Sequence, residues 1–281
     1  MLMLIPDTEI DRWLTEDMPG GDLTTHALGI GERPGHMVFQ ARAAMVVAAS
    51  EEAARLLARV GCTVSKVCPS GTRLEAGNPL LVADGPAAAL LAGWKVAQTL
   101  MEYASGIATV AGRIVQAARA VNPTIVVACT RKTFPGAKAI SLKAIMAAGA
   151  IPHRLGLSET VLVFPEHCAF LGEESQTSAL ARLKIACPER KIVVEVNHPE
   201  EALSAAQAGA DVVQLEKFPP DVVATLVTRM AEVVPHAKVA AAGGVKEANA
   251  ADYARAGAQI LVTSAPYFAP PADIKVIISA R

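Results

Sequence analysis

Aromatic side chains are scarce in this 281-residue chain. They fill 4 % of positions, although 52 % of all residues are hydrophobic. The apolar mass is therefore aliphatic and small, with Ala and Val prominent, which suits close packing of helices on a sheet. Cysteine is also sparse: Cys62, Cys68, Cys129, Cys168 and Cys187 are an odd number with no Cys-x-x-Cys pair. That excludes a disulfide framework and a zinc site of that spacing, and predicts reduced, mostly buried thiols. Neither sign of charge is in excess. The 26 Lys and Arg against 27 Asp and Glu give a formal net charge of −1, with no basic tract. The electrostatic footprint of a polynucleotide binder is missing, so an anionic ligand must be met by local cations. No apolar run reaches about 18 residues without a charge or a Gly, which argues against membrane insertion. Met1 to Pro6 is too short for a signal-peptide core and lacks a basic flank, so the chain reads as cytoplasmic. Its length allows a large core and two domains.

What is present organises itself around residues 125–136. Ile125-Val126-Val127-Ala128-Cys129 runs into Thr130-Arg131-Lys132-Thr133, and Phe134-Pro135-Gly136 then forces a turn. A short apolar run bounded by turn residues reads as a strand buried on both faces. Arg131 and Lys132 at its C-terminal end supply a fork-shaped cation beside a compact one, fitted to carboxylate and phosphate. His153-Arg154 forms a second basic point after an apolar helical run, Ser141 to Ala150.

Upstream, Pro6 to Asp17 reads as a helix capped by Asp7 or Thr8. Glu16 to Thr25 reads as a polar connecting loop. Met37 to Ala49 is strand-like, Glu51 to Val60 helical, and residues 63–84 alternate short strands and turns. Two helices, Pro86 to Tyr103 and Ile107 to Ala120, are predicted on either side of Ser105-Gly106. From Thr124 onward strands and helices alternate. The strands are Ile125 to Cys129, Thr160 to Phe164, Ile192 to Val196, Val212 to Leu215, Lys238 to Ala241 and Ile260 to Thr263. A quasi-repeat of helix, Ala-Gly-Ala turn and buried strand recurs at 201–213 and 247–261. Serial units of this kind predict a parallel sheet, and their repetition without a G-x-G-x-x-G favours an α/β-barrel of TIM type over a doubly wound sheet.

In such a barrel the site lies at the C-terminal strand ends. Those ends carry Arg131-Lys132, then Phe164-Pro165-Glu166-His167, Glu195, Glu216, Ala242-Gly243-Gly244 and Thr263-Ser264-Ala265. Glu195 and Glu216 stand at matching places on neighbouring strands. They suit Mg²⁺ or ribose hydroxyls, a general acid/base pair, or ion pairing with Arg131 and Lys132. Gly243-Gly244 with Ser264-Ala265 matches a backbone phosphate cradle. His26, His198 and His236 have no partner in the pattern and read as surface residues.

These motifs in this order resemble the quinolinate phosphoribosyltransferases, and within them the branch associated with molybdenum-transport operons. The resemblance rests on Glu16-Asp17…Gly21-Asp22-Leu23-Thr24-Thr25, Ser105-Gly106-Ile107-Ala108-Thr109, Thr130 to Gly136, His153 to Leu157 and Glu195-Val196, and it covers nearly the whole chain. It implies an N-terminal α+β sandwich domain over 1–108 and an incomplete TIM-like α/β-barrel over 109–281. It implies a homodimer, or a dimer of such dimers, with sites shared between subunits. The implied reaction moves phosphoribosyl from phosphoribosyl pyrophosphate to a nitrogen-containing aromatic acid, with Mg²⁺, giving a mononucleotide and pyrophosphate, with or without decarboxylation. Lys132, Glu195 and Glu216 would be catalytic, the two glutamates also holding metal and ribose. Arg131, His153 and Arg154 would hold acceptor carboxylates. Ala242, Gly243, Gly244, Ser264 and Ala265 would hold the 5′-phosphate. Lys95 falls where the family places an Arg given to the neighbouring subunit's site.

The chain departs from the family pattern. Phe164 stands where the family has a substrate-binding lysine, Glu216 replaces an Asp, Ala240 a Glu, and Pro152 an Asn. A dicarboxylate acceptor is therefore expected to be held less well. The alternative expectation is a catalytically altered member that binds a metabolite or oxyanion as an accessory of molybdate transport.

Overall fold

The computed structural model describes residues 3–281, so Met1 and Leu2 of the N-terminal apolar stretch lie outside the described residues. Its elements run α1 (Asp7–Asp17), α2 (Leu23–Leu28), β1 (Pro34–Ala41), β2 (Met45–Val46), α3 (Ser50–Arg59), β3 (Thr63–Val67), β4 (Arg73–Leu74), β5 (Pro79–Pro86) and α4 (Ala87–Arg119). They continue with β6 (Val126–Cys129), α5 (Lys138–Ala147), β7 (Ile151–Pro152), β8 (Val161–Val163), α6 (Pro165–Cys168), α7 (Gln176–Ala186), β9 (Ile192–Val196), α8 (Pro199–Gln207), β10 (Val212–Glu216), α9 (Pro220–Val233), β11 (Lys238–Ala242), α10 (Glu247–Arg255), β12 (Ile260–Thr263) and β13 (Ile274–Ala280). Two compact units result. The first holds the chain up to Gly112 with Thr133–Gly149 and Pro266–Arg281; the second holds Arg113–Lys132 and Ala150–Ala265.

The first unit is built on an antiparallel sheet in the order β13-β1-β5-β3. β1 alternates buried and half-exposed residues along its length, so Met37 and Phe39 turn inward. They join Leu56, Leu57, Leu80 and Leu81 in a core closed to solvent, where each such side chain contributes roughly 1.5–3 kcal/mol by burial. The sheet takes its edge strand from the far end of the chain, with Gly35 opposite Ala280. That pairing carries no local signal, since the paired residues lie between 233 (Ala41 and Ile274) and 245 (Gly35 and Ala280) positions apart.

Several local expectations are corrected. Neither Asp7 nor Thr8 caps α1, whose cap is Pro6 without a side-chain bond. The segment Glu16 to Thr25 is not only a loop. Asp22 accepts from the Thr25 amide and caps α2, which ends on left-handed Gly29. The strand-like stretch from Met37 to Ala49 is two strands, β1 and β2. The predicted break at Ser105-Gly106 does not exist, and α4 runs unbroken for 33 residues. Ser105 is fully buried, and its hydroxyl accepts from the Ala48 amide at 3.0 Å. Gly106 is there for close approach: a Cβ would drive into the Pro270 carbonyl. An exposed helical Gly→Ala change stabilises by about 1 kcal/mol. Gly106→Ala should reverse that sign, lowering the midpoint of thermal unfolding; a raised midpoint would refute the close-packing account.

The second unit is a parallel seven-stranded sheet in the order β7-β6-β12-β11-β10-β9-β8. It is an incomplete barrel, left open between β7 and β8. Its strands read as continuous apolar runs because both faces are covered: β11 buries every residue after Lys238. The quasi-repeat is explained by its glycines. Gly209 and Gly257 follow α8 and α10 with φ of 106° and 87°, a left-handed exit that glycine adopts without steric penalty, and β10 and β12 start within three residues. β7 is a two-residue strand missed in the sequence. Its Pro152 is tolerated because β7 is an edge strand. Among the described residues no helix is long and apolar enough to cross a membrane. All five cysteines are free, with Cys62, Cys68 and Cys129 buried.

Candidate active site

The C-terminal strand ends of the second unit line one cavity of about 650 Å³. At β6 the Thr130 amide donates to the Thr263 carbonyl at 2.9 Å, and Arg131 and Lys132 follow, both exposed. The His153 amide extends the β6–β7 ladder by donating to the Cys129 carbonyl at 2.8 Å. That fixes His153 and Arg154 beside the β6 tip.

Arg154 is 9 % exposed. Its guanidinium carbon stands 5.5 Å from the centroid of the Phe164 ring, within cation–π range. The contact spans the open side of the barrel, from the loop after β7 to the residue after β8. Phe164 is itself held: its amide donates to His167 Nδ1 at 3.0 Å, and the two rings lie 5.7 Å apart, 13° from parallel. Burial, and then repulsion from Arg131, lowers the pKa of Arg154. Among the described residues no carboxylate pairs with Arg154.

Burial, assisted by the Arg154 charge, pushes His153 down to about 4 from an ordinary 6.5. At neutral pH the imidazole is therefore uncharged in the ligand-free site. The sign of the stability effect follows. Above pH 6.5 both folded and unfolded chains leave His153 neutral, and there is no penalty. As pH falls from 6.5 to 4 the unfolded chain takes up a proton that the folded chain refuses, so stability declines, by on the order of 2–3 kcal/mol. His153→Gln should flatten that window in pH-dependent unfolding measurements; an unchanged slope would refute the assignment.

On β9 and β10, Glu195 and Gln214 are register partners. Gln214 Nε2 donates to Glu195 Oε2 at 2.5 Å. The pKa of Glu195 is raised, by burial first and then by Glu216 and Glu166, against the pull of the Gln214 bond and of Lys132. Gln214 is 4 % exposed, and its Oε1 has no hydrogen-bond partner among the described residues. Two mutually repelling carboxylates beside an unpaired amide oxygen fit a hard divalent cation. Among the described residues no group of three or more His, Cys, Asp or Glu forms a metal cage.

At β11, Gly243 and Gly244 have φ of 78° and 82°. A Cβ on Gly243 would lie 2.5 Å from Lys217 Cγ and 2.7 Å from Glu216 Oε1, whereas one on Gly244 would meet nothing. Lys217 is itself left-handed, at φ 63°, and its amide donates to the Ala242 carbonyl at 2.8 Å. Its ammonium lies 3.8 Å from Glu216. Asn249 secures the loop, donating to the Gly244 carbonyl at 3.0 Å and accepting from the Lys246 amide at 2.8 Å. On β12 the Thr263 hydroxyl donates to the Val245 carbonyl at 2.7 Å and accepts from the Ala265 amide at 3.1 Å. The Ala265 N–H is therefore used within the protein, and the cradle is left to Gly243, Gly244 and Ser264.

Arg131, Lys132, His153, Arg154, Phe164, Glu195, Glu216, Ala242, Gly243, Gly244, Ser264 and Ala265 thus share one cavity. Lys95 is not in its lining. It lines a groove of the first unit with Trp13, Glu16 and Asp17, bonds Gln98 Oε1 at 3.0 Å and sits 4.0 Å from the Trp94 ring centroid. His26, His198 and His236 are exposed. The cavity also holds Gln214, Lys217 and Lys246, which sequence reasoning missed. Gln214 had a signal, a lone amide inside a buried apolar strand. Lys217 and Lys246 had none, because a strained backbone and a loop turn bring them in.

Comparison with known proteins gives the family and the fold. The C-terminal domain of quinolinate phosphoribosyl transferase matches residues 107–277, and its N-terminal domain residues 22–105. A Rhodobacter capsulatus protein named "Putative pyrophosphorylase ModD" is 52 % identical over 256 residues, covering 91 % of this chain and 98 % of that one. The human nicotinate-nucleotide pyrophosphorylase (carboxylating) is 34 % identical over 236 residues, 84 % of this chain and 78 % of that one. The crystal structure of NadC from Streptococcus pyogenes shares the fold, with a TM-score of 0.90 at 23 % identity over 99 % of both chains. Motif order, half-barrel and whole-chain similarity lead to one conclusion: the chain belongs to the quinolinate phosphoribosyltransferase family.

Proposed function

We propose that this protein transfers phosphoribosyl from phosphoribosyl pyrophosphate to a ring nitrogen of an aromatic acid. The observation that carries the reading is the single cavity, where the strand ends bring together, across the sheet, the cations after β6 and β7, Ser264 after β12, the bare Gly-Gly turn after β11 and the carboxylates of β10 and β9. The acceptor nitrogen forms a bond to C1 of the ribose as the C1–O bond breaks and pyrophosphate departs with the electron pair. Arg154 and Arg131 hold the acceptor's anionic group, and neutral His153 adds a hydrogen bond. Gly243, Gly244 and Ser264 present N–H groups to the 5′-phosphate. Lys132, with Lys217 and Lys246, offsets charge growing on the leaving group. Glu195 and Glu216 would hold the ribose hydroxyls and Mg²⁺, with the unpartnered Gln214 Oε1 beside them as a further oxygen. When bound, Mg²⁺ supplies charge neutralisation to the pyrophosphate.

Lys95 lies outside the cavity and is available to a neighbouring subunit, in a homodimer with shared sites. The test is release of pyrophosphate from phosphoribosyl pyrophosphate with a panel of nitrogen heteroaromatic acids. Turnover should require Mg²⁺, and Glu216→Gln should raise the Mg²⁺ concentration needed for half-maximal donor binding. Donor binding without release on any acceptor would replace this reading with that of a non-catalytic binder.

A further inference from the structure

The acceptor end of the cavity is one-sided. The lysines Lys217 and Lys246 enter from β10 and β11, beside the glycine turn, and Lys132 interacts with Glu195. That leaves Arg131 and Arg154 as the cations of the opposite end. They arrive from β6 and β7 and are close enough to repel. The facing wall, from β8, is Leu162 and Phe164; it supplies no cation of its own, and the charge that meets the Phe164 ring is the Arg154 guanidinium already counted. His153 adds no positive charge at neutral pH. The buried Arg154 head has no carboxylate partner among the described residues, and a buried charge in that state is stabilised by a ligand anion. One shared carboxylate would relieve both the burial and the repulsion between the two guanidiniums. A second carboxylate turned toward β8 would be desolvated against an aliphatic and an aromatic side chain.

We infer that the acceptor is a flat aromatic acid bearing a single anionic group, taken by Arg154 and Arg131, with its unsubstituted ring edge against Phe164 and Leu162. This rests on the phosphoribosyl-transfer reading for the word acceptor, and the ligand class itself is measured without turnover. Equilibrium binding to the full-length protein, by calorimetry with no donor present, should be compared for pyridine-3-carboxylate, pyridine-3-carboxamide and pyridine-2,3-dicarboxylate.

The monocarboxylate should bind at least about tenfold more tightly than the other two, the separation expected of one charge-assisted contact made or one unpaired charge buried. Phe164→Lys should reverse the preference in favour of the dicarboxylate, and Phe164→Leu should keep the order with a loss of a few fold. Thermal melts of both variants separate these changes from misfolding. A wild-type protein that binds the dicarboxylate as tightly as the monocarboxylate, or that binds no monocarboxylate at all, overturns the inference. Pyrophosphate release then distinguishes the two readings. Release with the dicarboxylate alone sinks this one and leaves phosphoribosyl transfer intact. Selective monocarboxylate binding with no release from any acceptor does the opposite.

Discussion

Replacing Arg154 with alanine is expected to weaken acceptor binding by about 3 kcal/mol, roughly a hundredfold, the loss found when one partner of a buried charge pair is removed. Donor binding should stay within about threefold of wild type, because the proposed phosphate cradle lies on β11 and β12. The same substitution should hold or raise the midpoint of thermal unfolding. Without ligand, Arg154 is a desolvated cation beside Arg131, and removing it relieves repulsion at the loss of one ring contact of about 1 kcal/mol. Weaker binding with no loss of stability is the mark of a residue placed for a ligand and not for the fold. Arg131→Ala serves as the comparison. Arg131 is exposed, so water competes for the same contact, and a smaller loss of about 1 kcal/mol is expected. Direct titration of acceptor against the two variants decides the matter. Equal losses, or an Arg154→Ala protein that binds normally and melts early, would assign Arg154 to structure.

The second large effect concerns the glycine turn. Gly243→Ala should destabilise the protein by about 3 kcal/mol, combining a left-handed backbone penalty of about 1–2 kcal/mol with a collision. The new methyl would lie 2.8 Å from the Lys217 amide nitrogen and 2.7 Å from Glu216 Oε1. The first of these is backbone and cannot rotate away. Gly244→Ala, at nearly the same φ but with open space around it, should carry the backbone penalty alone. The midpoint of thermal unfolding should therefore fall about twice as far for Gly243→Ala. Donor binding should also suffer more in that variant, since the collision pushes Glu216. Matching losses in the two variants would mean that φ alone matters and that Gly243 is not packed against the glutamate.

Much of this site was legible because a parallel barrel ties chain order to position. Once alternating strands and helices are recognised, every residue just past a strand faces the same end. Arg131, Glu195, Glu216 and Gly243 could thus be grouped with no coordinates. What failed was whatever depends on contacts between distant segments. Ser105-Gly106 looks like a helix break until Pro270 is found against it. The run Ile274–Ala280 carries no sign that it completes a sheet begun at Pro34. Lys217 enters the cavity only because its backbone is held left-handed, an arrangement that local propensity disfavours.

The charge state of the site is the clearest division. The identity and order of the cationic, acidic and glycine positions, and with them the fold class and family, were set by residue type and periodicity, which are local properties. Whether His153 carries a proton, and whether Arg154 is paired, depends on how much water and which charges the fold leaves around them. Burial and neighbouring charge arise only once the fold sets His153 and Arg154 beside Arg131, with Phe164 reaching Arg154 across the open side of the barrel, so the tertiary structure alone decided them.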